Sequence, residues 1–125
     1  MDRPHIAFVG AGNMASSIIG GLLESGHPAD RISAADPFPA SLERLRDLGE
    51  VRTCADNAEA VANAEVVILA VKPQVMAEAT DSIAAAVRSN GALVISIAAG
   101  VTVESMASRL GAEAAIVRCM PNTPA

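Results

Sequence analysis

The sequence predicts an α/β fold, a doubly wound parallel sheet of six strands with helices on both faces. Three observations predict it. Short apolar, β-rich runs alternate with stretches of helical spacing along the whole chain, and such alternation calls for parallel strands joined by right-handed crossovers. The run "EVVILAV" (Glu65 to Val71) is apolar without a break, as a strand buried on both faces should be. Finally, Gly10 and Gly12 stand directly between the first apolar run and the first helical stretch, a tight strand-to-helix turn.

The elements follow in order. "HIAFVG" reads as a buried strand, and "NMASSIIGGLLESG" as a helix stopped by Gly26, which adopts a left-handed cap readily. "RISAAD" is a second strand. "ASLERLRDLG" is a second helix, apolar at Leu42, Leu45 and Leu48 and stopped at Gly49. "VRTCA" is a short third strand, and "NAEAVANA" a short helix capped by Asp56 or Asn57. After the fourth strand, "PQVMAEATDSIAAAVRSNG" is a helix with Pro73 near its first turn. "ALVISIA" is the fifth strand, "TVESMASRLG" a helix capped by Thr102, and "AAIVRCM" the sixth strand.

Composition narrows the function classes. A chain of 125 residues fits one domain with a proper core. With Phe8 and Phe38 as its only aromatics, that core must be aliphatic and rich in alanine. A net charge of −5 and the near absence of base-stacking side chains argue against a nucleic-acid partner. No apolar run is long enough to cross a bilayer, and "MDRPHIAFVG" lacks the features of a signal peptide, so a soluble, cytoplasmic protein with no membrane partner is expected. Cys54 and Cys119 have no metal-type spacing and read as thiols near strand ends, and His5 and His27 belong to no cluster; no metal site is expected.

Gly10, Gly12 and Ala15 match the G-x-G-x-x-G/A pattern between a strand and a helix. Gly10 permits the turn, Gly12 lets the backbone approach a pyrophosphate, and Ala15 lets the helix press on the sheet. The phosphates then sit on the N–H groups at the positive end of the helix. Asp36 arrives at the distance where a carboxylate meets the adenosine ribose; it accepts from ribose hydroxyls and repels a 2′-phosphate, favouring NAD over NADP. "DP" is also an ordinary turn, and both readings stay open. Arg44 and Arg46 are within reach of a phosphate, but their spacing suits an exposed helix face better.

Ligands of open parallel sheets collect outside the carboxyl ends of the strands. Three irregular stretches fall there: "AVKP" (Ala70, Val71, Lys72, Pro73), "SIAAG" (Ser96 to Gly100) and "MPNTPA" (Met120 to Ala125). Each stretch alone reads equally well as a structural loop, but together they would line one edge of the sheet. There Lys72 would offer an ammonium to a carboxylate or phosphate, Gly100 would permit close approach by the nicotinamide or its ribose, and Asn122 and Thr123 would offer hydrogen bonds between two prolines.

"FVGAGNM", "AVKPQ", "VISIAAGV" and "RCMPNTPA", in this order and spacing, resemble the N-terminal half of the pyrroline-5-carboxylate reductases over essentially the whole chain. The resemblance implies a Rossmann-like domain over residues 1–125 that binds NADPH or NADH, within an enzyme that reduces the cyclic imine carboxylate 1-pyrroline-5-carboxylate to proline. Val9, Gly10, Ala11, Gly12, Asn13 and Met14 match the family's pyrophosphate loop, and Asn57 an asparagine at the adenosine. Ala70 to Pro73 match the loop beneath the ribose and phosphates, Ala98, Ala99 and Gly100 the stretch near the nicotinamide, and Asn122 a region between cofactor and substrate. Asp36 stands where many relatives carry serine, asparagine or arginine for the 2′-phosphate, which leaves NADH and NADPH both open.

The resemblance implies a protein of about twice this length, whose helical half dimerises it and builds most of the substrate site. The chain is expected to be the isolated cofactor domain, binding dinucleotide weakly at best and not turning over. The resemblance implies no catalytic residue within it. Two other readings compete: the cofactor domain of a 3-hydroxyacid dehydrogenase-like reductase, and a non-catalytic NAD(P)-sensing module.

Overall fold

In the computed structural model, residues 3–98, 101–111 and 113–119 are described. The elements run β1 (Ile6–Val9), α1 (Asn13–Glu24), β2 (Ile32–Ala35), α2 (Pro39–Leu48), β3 (Arg52–Cys54), α3 (Asn57–Val61), β4 (Val66–Leu69), α4 (Met76–Asn90), β5 (Leu93–Ser96), α5 (Val103–Leu110) and β6 (Ala115–Arg118). All six strands pair in parallel in the order β3-β2-β1-β4-β5-β6. That is the doubly wound arrangement the alternation predicts, and its strand order reverses between β1 and β4.

The period of two along each strand divides the core between two helical layers. Ile6 and Phe8 of β1, with Ile32, Ala34 and Ile68, pack against Ala15 and Ile19 of α1 and Leu42 and Leu45 of α2. Ala7 and Val9, with Val67, Leu69 and Val94, pack against Val61 of α3, Ile83 and Val87 of α4, and Met106 and Leu110 of α5. Burying a side chain such as Phe8 or Ile19 fully contributes about 1.5–3 kcal/mol, so these two layers hold the sheet from both sides. The α1/α2 layer stops short of the far edge. Leu93 and Ile95 of β5 are only half-buried, and β6 is exposed at Ala115, Val117 and Arg118.

Local signals explain the helix ends. Gly26 has φ +97°, with Gly26 N–H bonded to Leu23 O and His27 N–H to Leu22 O, so α1 ends in the left-handed cap expected of that glycine. Asp56 accepts from Ala58 N–H and Thr102 Oγ1 from Ser105 N–H, each at 3.1 Å, capping α3 and α5. Leu48 departs from the expected apolar face of α2; it sits at the helix end and is exposed. Pro73 opens a separate 3₁₀ turn, Pro73–Val75, rather than the first turn of α4. Both cysteines are free, Cys54 buried at the end of β3 and Cys119 exposed just past β6.

The two histidines brace the amino end of the sheet, which their isolation in sequence gave no reason to expect. His27 Nε2 lies 3.0 Å from Pro4 O, and His5 Nε2 lies 2.8 Å from Ser33 Oγ on the neighbouring strand. Burial, with Arg52 and Arg31 nearby, holds the His5 pKa below its ordinary value. The unfolded chain therefore binds this proton more tightly than the folded one. The stabilisation is complete above the ordinary histidine pKa and is lost as pH falls through the lowered folded value. Urea midpoints compared at neutral and mildly acidic pH should fall on acidification, and His5→Gln should flatten that dependence. An unchanged slope in the variant would assign the acid sensitivity to other groups.

Candidate functional site

The site begins where β1 stops. Gly10 N–H donates to Ala35 O and Ala70 N–H to Val9 O, each at 2.8 Å, so the turn is stitched between β2 and β4 at the carboxyl edge of the sheet. Gly10 has φ +102°, and a Cβ there would lie 2.5 Å from Ala70 O and 3.0 Å from Val71 Cγ1. The glycine is demanded by the backbone and by the wall that "AVKP" raises against it.

Gly12 is different. Its φ of −76° suits any residue, and a Cβ would meet nothing within 4 Å. Neither backbone nor packing explains a glycine at this exposed position; what it preserves is open space over the start of α1. That start is uncapped by any side chain and carries no acid in its first turn, unlike α3 and α5. Among the described residues, nothing accepts from the amides of Gly12, Asn13 or Met14. Ala15 is fully buried against the sheet. Donors without partners at the positive end of a twelve-residue helix, beneath a cleared approach, make a cradle able to take an anion.

Asp36 closes the cradle on the β2 side. Its Oδ2 accepts from Ala11 N–H and its Oδ1 from Phe38 N–H, both at 2.8 Å. The second bond is the turn that "DP" signalled, and the first fixes the carboxylate against the glycine loop. Each oxygen keeps acceptor capacity, so both readings of this residue are compatible. Arg44 lies on the exposed face of α2, as its spacing predicts, and makes one contact beyond that expectation. Its Nη1 donates to Asn13 Oδ1 across 3.4 Å, bringing α2 onto the loop.

On the other side of the turn, Ala70 and Val71 are half-buried and Lys72 and Pro73 exposed. Ala98 is buried just past β5, with its N–H 3.3 Å from the hydroxyl of buried Ser96. Asn57 is engaged elsewhere: its Nδ2 donates to Ser82 Oγ on α4 at 3.2 Å, which ties α3 to α4 rather than to the glycine loop. Ala99, Gly100 and Asn122 lie outside the described residues. A cleft of about 480 Å³ beside Arg88, Gly91, Gly111 and Glu113 lies at the amino end of the sheet, opposite this edge.

Residues 5–100 match the family described as NADP oxidoreductase, coenzyme F420-dependent. The chain belongs to this family. It is 48% identical over its whole length to the pyrroline-5-carboxylate reductase of Pseudomonas aeruginosa, of which it spans 45%. The chain thus spans about half the length of the curated relatives it matches. A solved pyrroline-5-carboxylate reductase from Coxiella burnetii superposes with a TM-score of 0.94 at 36% identity, covering 98% of this chain and 46% of that one. The Plasmodium falciparum pyrroline carboxylate reductase, solved with NADP bound, shares the fold at a TM-score of 0.80 and 24% identity, over 99% of this chain and 44% of its own. Among the described residues no helix is long and apolar enough to cross a membrane, and no three His, Cys, Asp or Glu side chains group as a metal site.

Proposed function

We propose that this chain is the cofactor-binding half of a reductase that converts 1-pyrroline-5-carboxylate to proline with NADH or NADPH. The observation that carries the reading is the uncapped start of α1 beneath Gly12, with the Asp36 carboxylate fixed beside it. When bound, the reduced nicotinamide supplies a hydride to C5 of the protonated imine, which its own positive charge already makes electrophilic. This chain's residues bind and orient. The amides of Gly12, Asn13 and Met14 receive the pyrophosphate, Asp36 the adenosine ribose, and Asn57 the adenosine side once Ser82 releases it. Ala70 to Pro73 lie under the ribose and phosphates and Ala98 near the nicotinamide. The resemblance assigns Ala99 and Gly100 to the nicotinamide as well, and Asn122 a role between cofactor and substrate. Positioning of this kind needs no strong side-chain acid.

The identity of 48% along the whole chain favours this reading over a 3-hydroxyacid dehydrogenase and over a redox sensor. The remaining half of such an enzyme would supply most of the substrate site and the contacts of a homo-oligomer. The exposed apolar positions Ala115 and Val117 on β6 leave sheet surface for it to cover. We place the enzyme in the cytoplasm.

Titration of the chain with NADH, followed by amide chemical shifts, should perturb Gly12, Asn13 and Met14 first. The complete protein should oxidise NAD(P)H only when the cyclic imine is supplied. Shifts confined to the cleft at the amino end, or turnover of a hydroxyacid alone, would overturn the proposal.

A further inference from the structure

We propose that Arg44 is the residue that admits the 2′-phosphate of NADPH, so that the site accepts both cofactors although Asp36 stands at the ribose. The inference rests on the cofactor reading above and sharpens it.

Two side chains reach the short loop Ala11–Asn13 from the β2 side. Asp36, at the end of β2, holds Ala11 N–H through Oδ2 at 2.8 Å. Arg44, on α2, holds Asn13 Oδ1 through Nη1 at 3.4 Å. In this fold the adenosine ribose lies between that loop and the end of β2, where an acid meets the 2′-hydroxyl or a nearby arginine meets a 2′-phosphate. Here one carboxylate and one guanidinium flank the same place. Alone, the carboxylate would repel the phosphate; beside Arg44, the local charge is balanced.

Arg44 is also poised to change partner. Its two bonds, to Asn13 Oδ1 and Ser41 Oγ, are both 3.4 Å long and both go to neutral oxygens. The ion pairs among the described residues belong to Arg52 with Glu59 and Arg109 with Asp81, so no carboxylate holds Arg44 back. Long bonds to neutral acceptors in water are weak, whereas a phosphate offers the guanidinium two short charge-assisted bonds. With NADH nothing draws Arg44 away, and the ribose hydroxyls donate to Asp36. With NADPH the guanidinium leaves Asn13 and takes the phosphate. Lysine would be a poorer substitute, because it lacks the planar fork.

The test is the NADPH-to-NADH affinity ratio, measured by titration calorimetry or chemical shifts on the wild-type chain, Arg44→Gln and Asp36→Ser, at low and moderate salt. Arg44→Gln should weaken NADPH about tenfold, the scale of losing one charged partner, while NADH stays within about twofold. It should also lessen the salt dependence of NADPH binding. Asp36→Ser should shift the ratio the other way. Equal loss for both cofactors would make Arg44 a brace for the loop through Asn13 and overturn the proposal, as would an unchanged NADPH affinity. If the wild-type chain binds neither cofactor, the cofactor reading itself fails and takes this inference with it; the Arg44 result matters only where wild-type binding is intact, which separates the two failures.

Discussion

Gly10→Ala should unfold this domain well before the wild type melts, with a fall in Tm on the order of 10–20 °C. Two costs combine. A non-glycine residue in the left-handed half of conformational space costs roughly 1–2 kcal/mol, and Gly10 sits there at φ +102°. The added Cβ would also lie 2.5 Å from Ala70 O and 2.9 Å from Ala70 C, a collision with backbone that no rotamer change relieves. Relief requires β4 to move from β1, and the bond from Ala70 N–H to Val9 O at 2.8 Å lies at that point. Together these reach about 3 kcal/mol or more, a large share of the roughly 5–15 kcal/mol that holds a domain. Thermal unfolding followed by circular dichroism reads it directly. A loss below about 3 °C would mean that the turn slips away from Ala70 and that its geometry is not fixed by contact with "AVKP".

The fold was legible because its signals are local. Six apolar runs separated by helical spacing translate into β1 to β6, and the caps at Gly26, Asp56 and Thr102 depend on residues two to five positions away. The glycine loop was legible for the same reason, since five residues carry strand end, turn and helix start. What stayed hidden depends on pairs distant in sequence. Arg44 and Asn13 are 31 positions apart, and the exposed-face reading of Arg44 follows from α2 considered alone. His5 meets Ser33 only because β1 and β2 pair in the register Ile6 to Ile32. Ser96, a buried hydroxyl at the end of β5, looks in sequence like any polar strand terminus. The exposure of β6 escaped as well: "AAIVRCM" has the composition of a buried strand, and only the extent of the α1/α2 layer shows that its apolar face stands open. Asp36 lies between the two cases. Its turn was legible from "DP", while its bond to Ala11 required the loop and β2 to be placed side by side.

The companion substitution, Gly12→Val, should do the reverse of Gly10→Ala, leaving the fold and removing the ligand. Gly12 has φ −76° and ψ −166°, an extended conformation that β-branched residues adopt well, and nothing lies within 4 Å of an added Cβ. Stability should fall only by about 1 kcal/mol, through a poorer residue at the helix start. The valine methyls would instead fill the space above the amides of Gly12, Asn13 and Met14. A pyrophosphate held off by even one ångström forfeits charge-assisted bonds of about 1.5–3 kcal/mol each, so affinity for NADH and NADPH alike should drop on the order of 100-fold. Equal loss for both cofactors marks the shared pyrophosphate and distinguishes this position from Arg44, where only the phosphorylated cofactor should suffer. Equal affinity in wild type and Gly12→Val, with both proteins folded, would mean that the open space over α1 serves no ligand. The two glycines would then differ only in packing, and the uncapped helix would need another explanation.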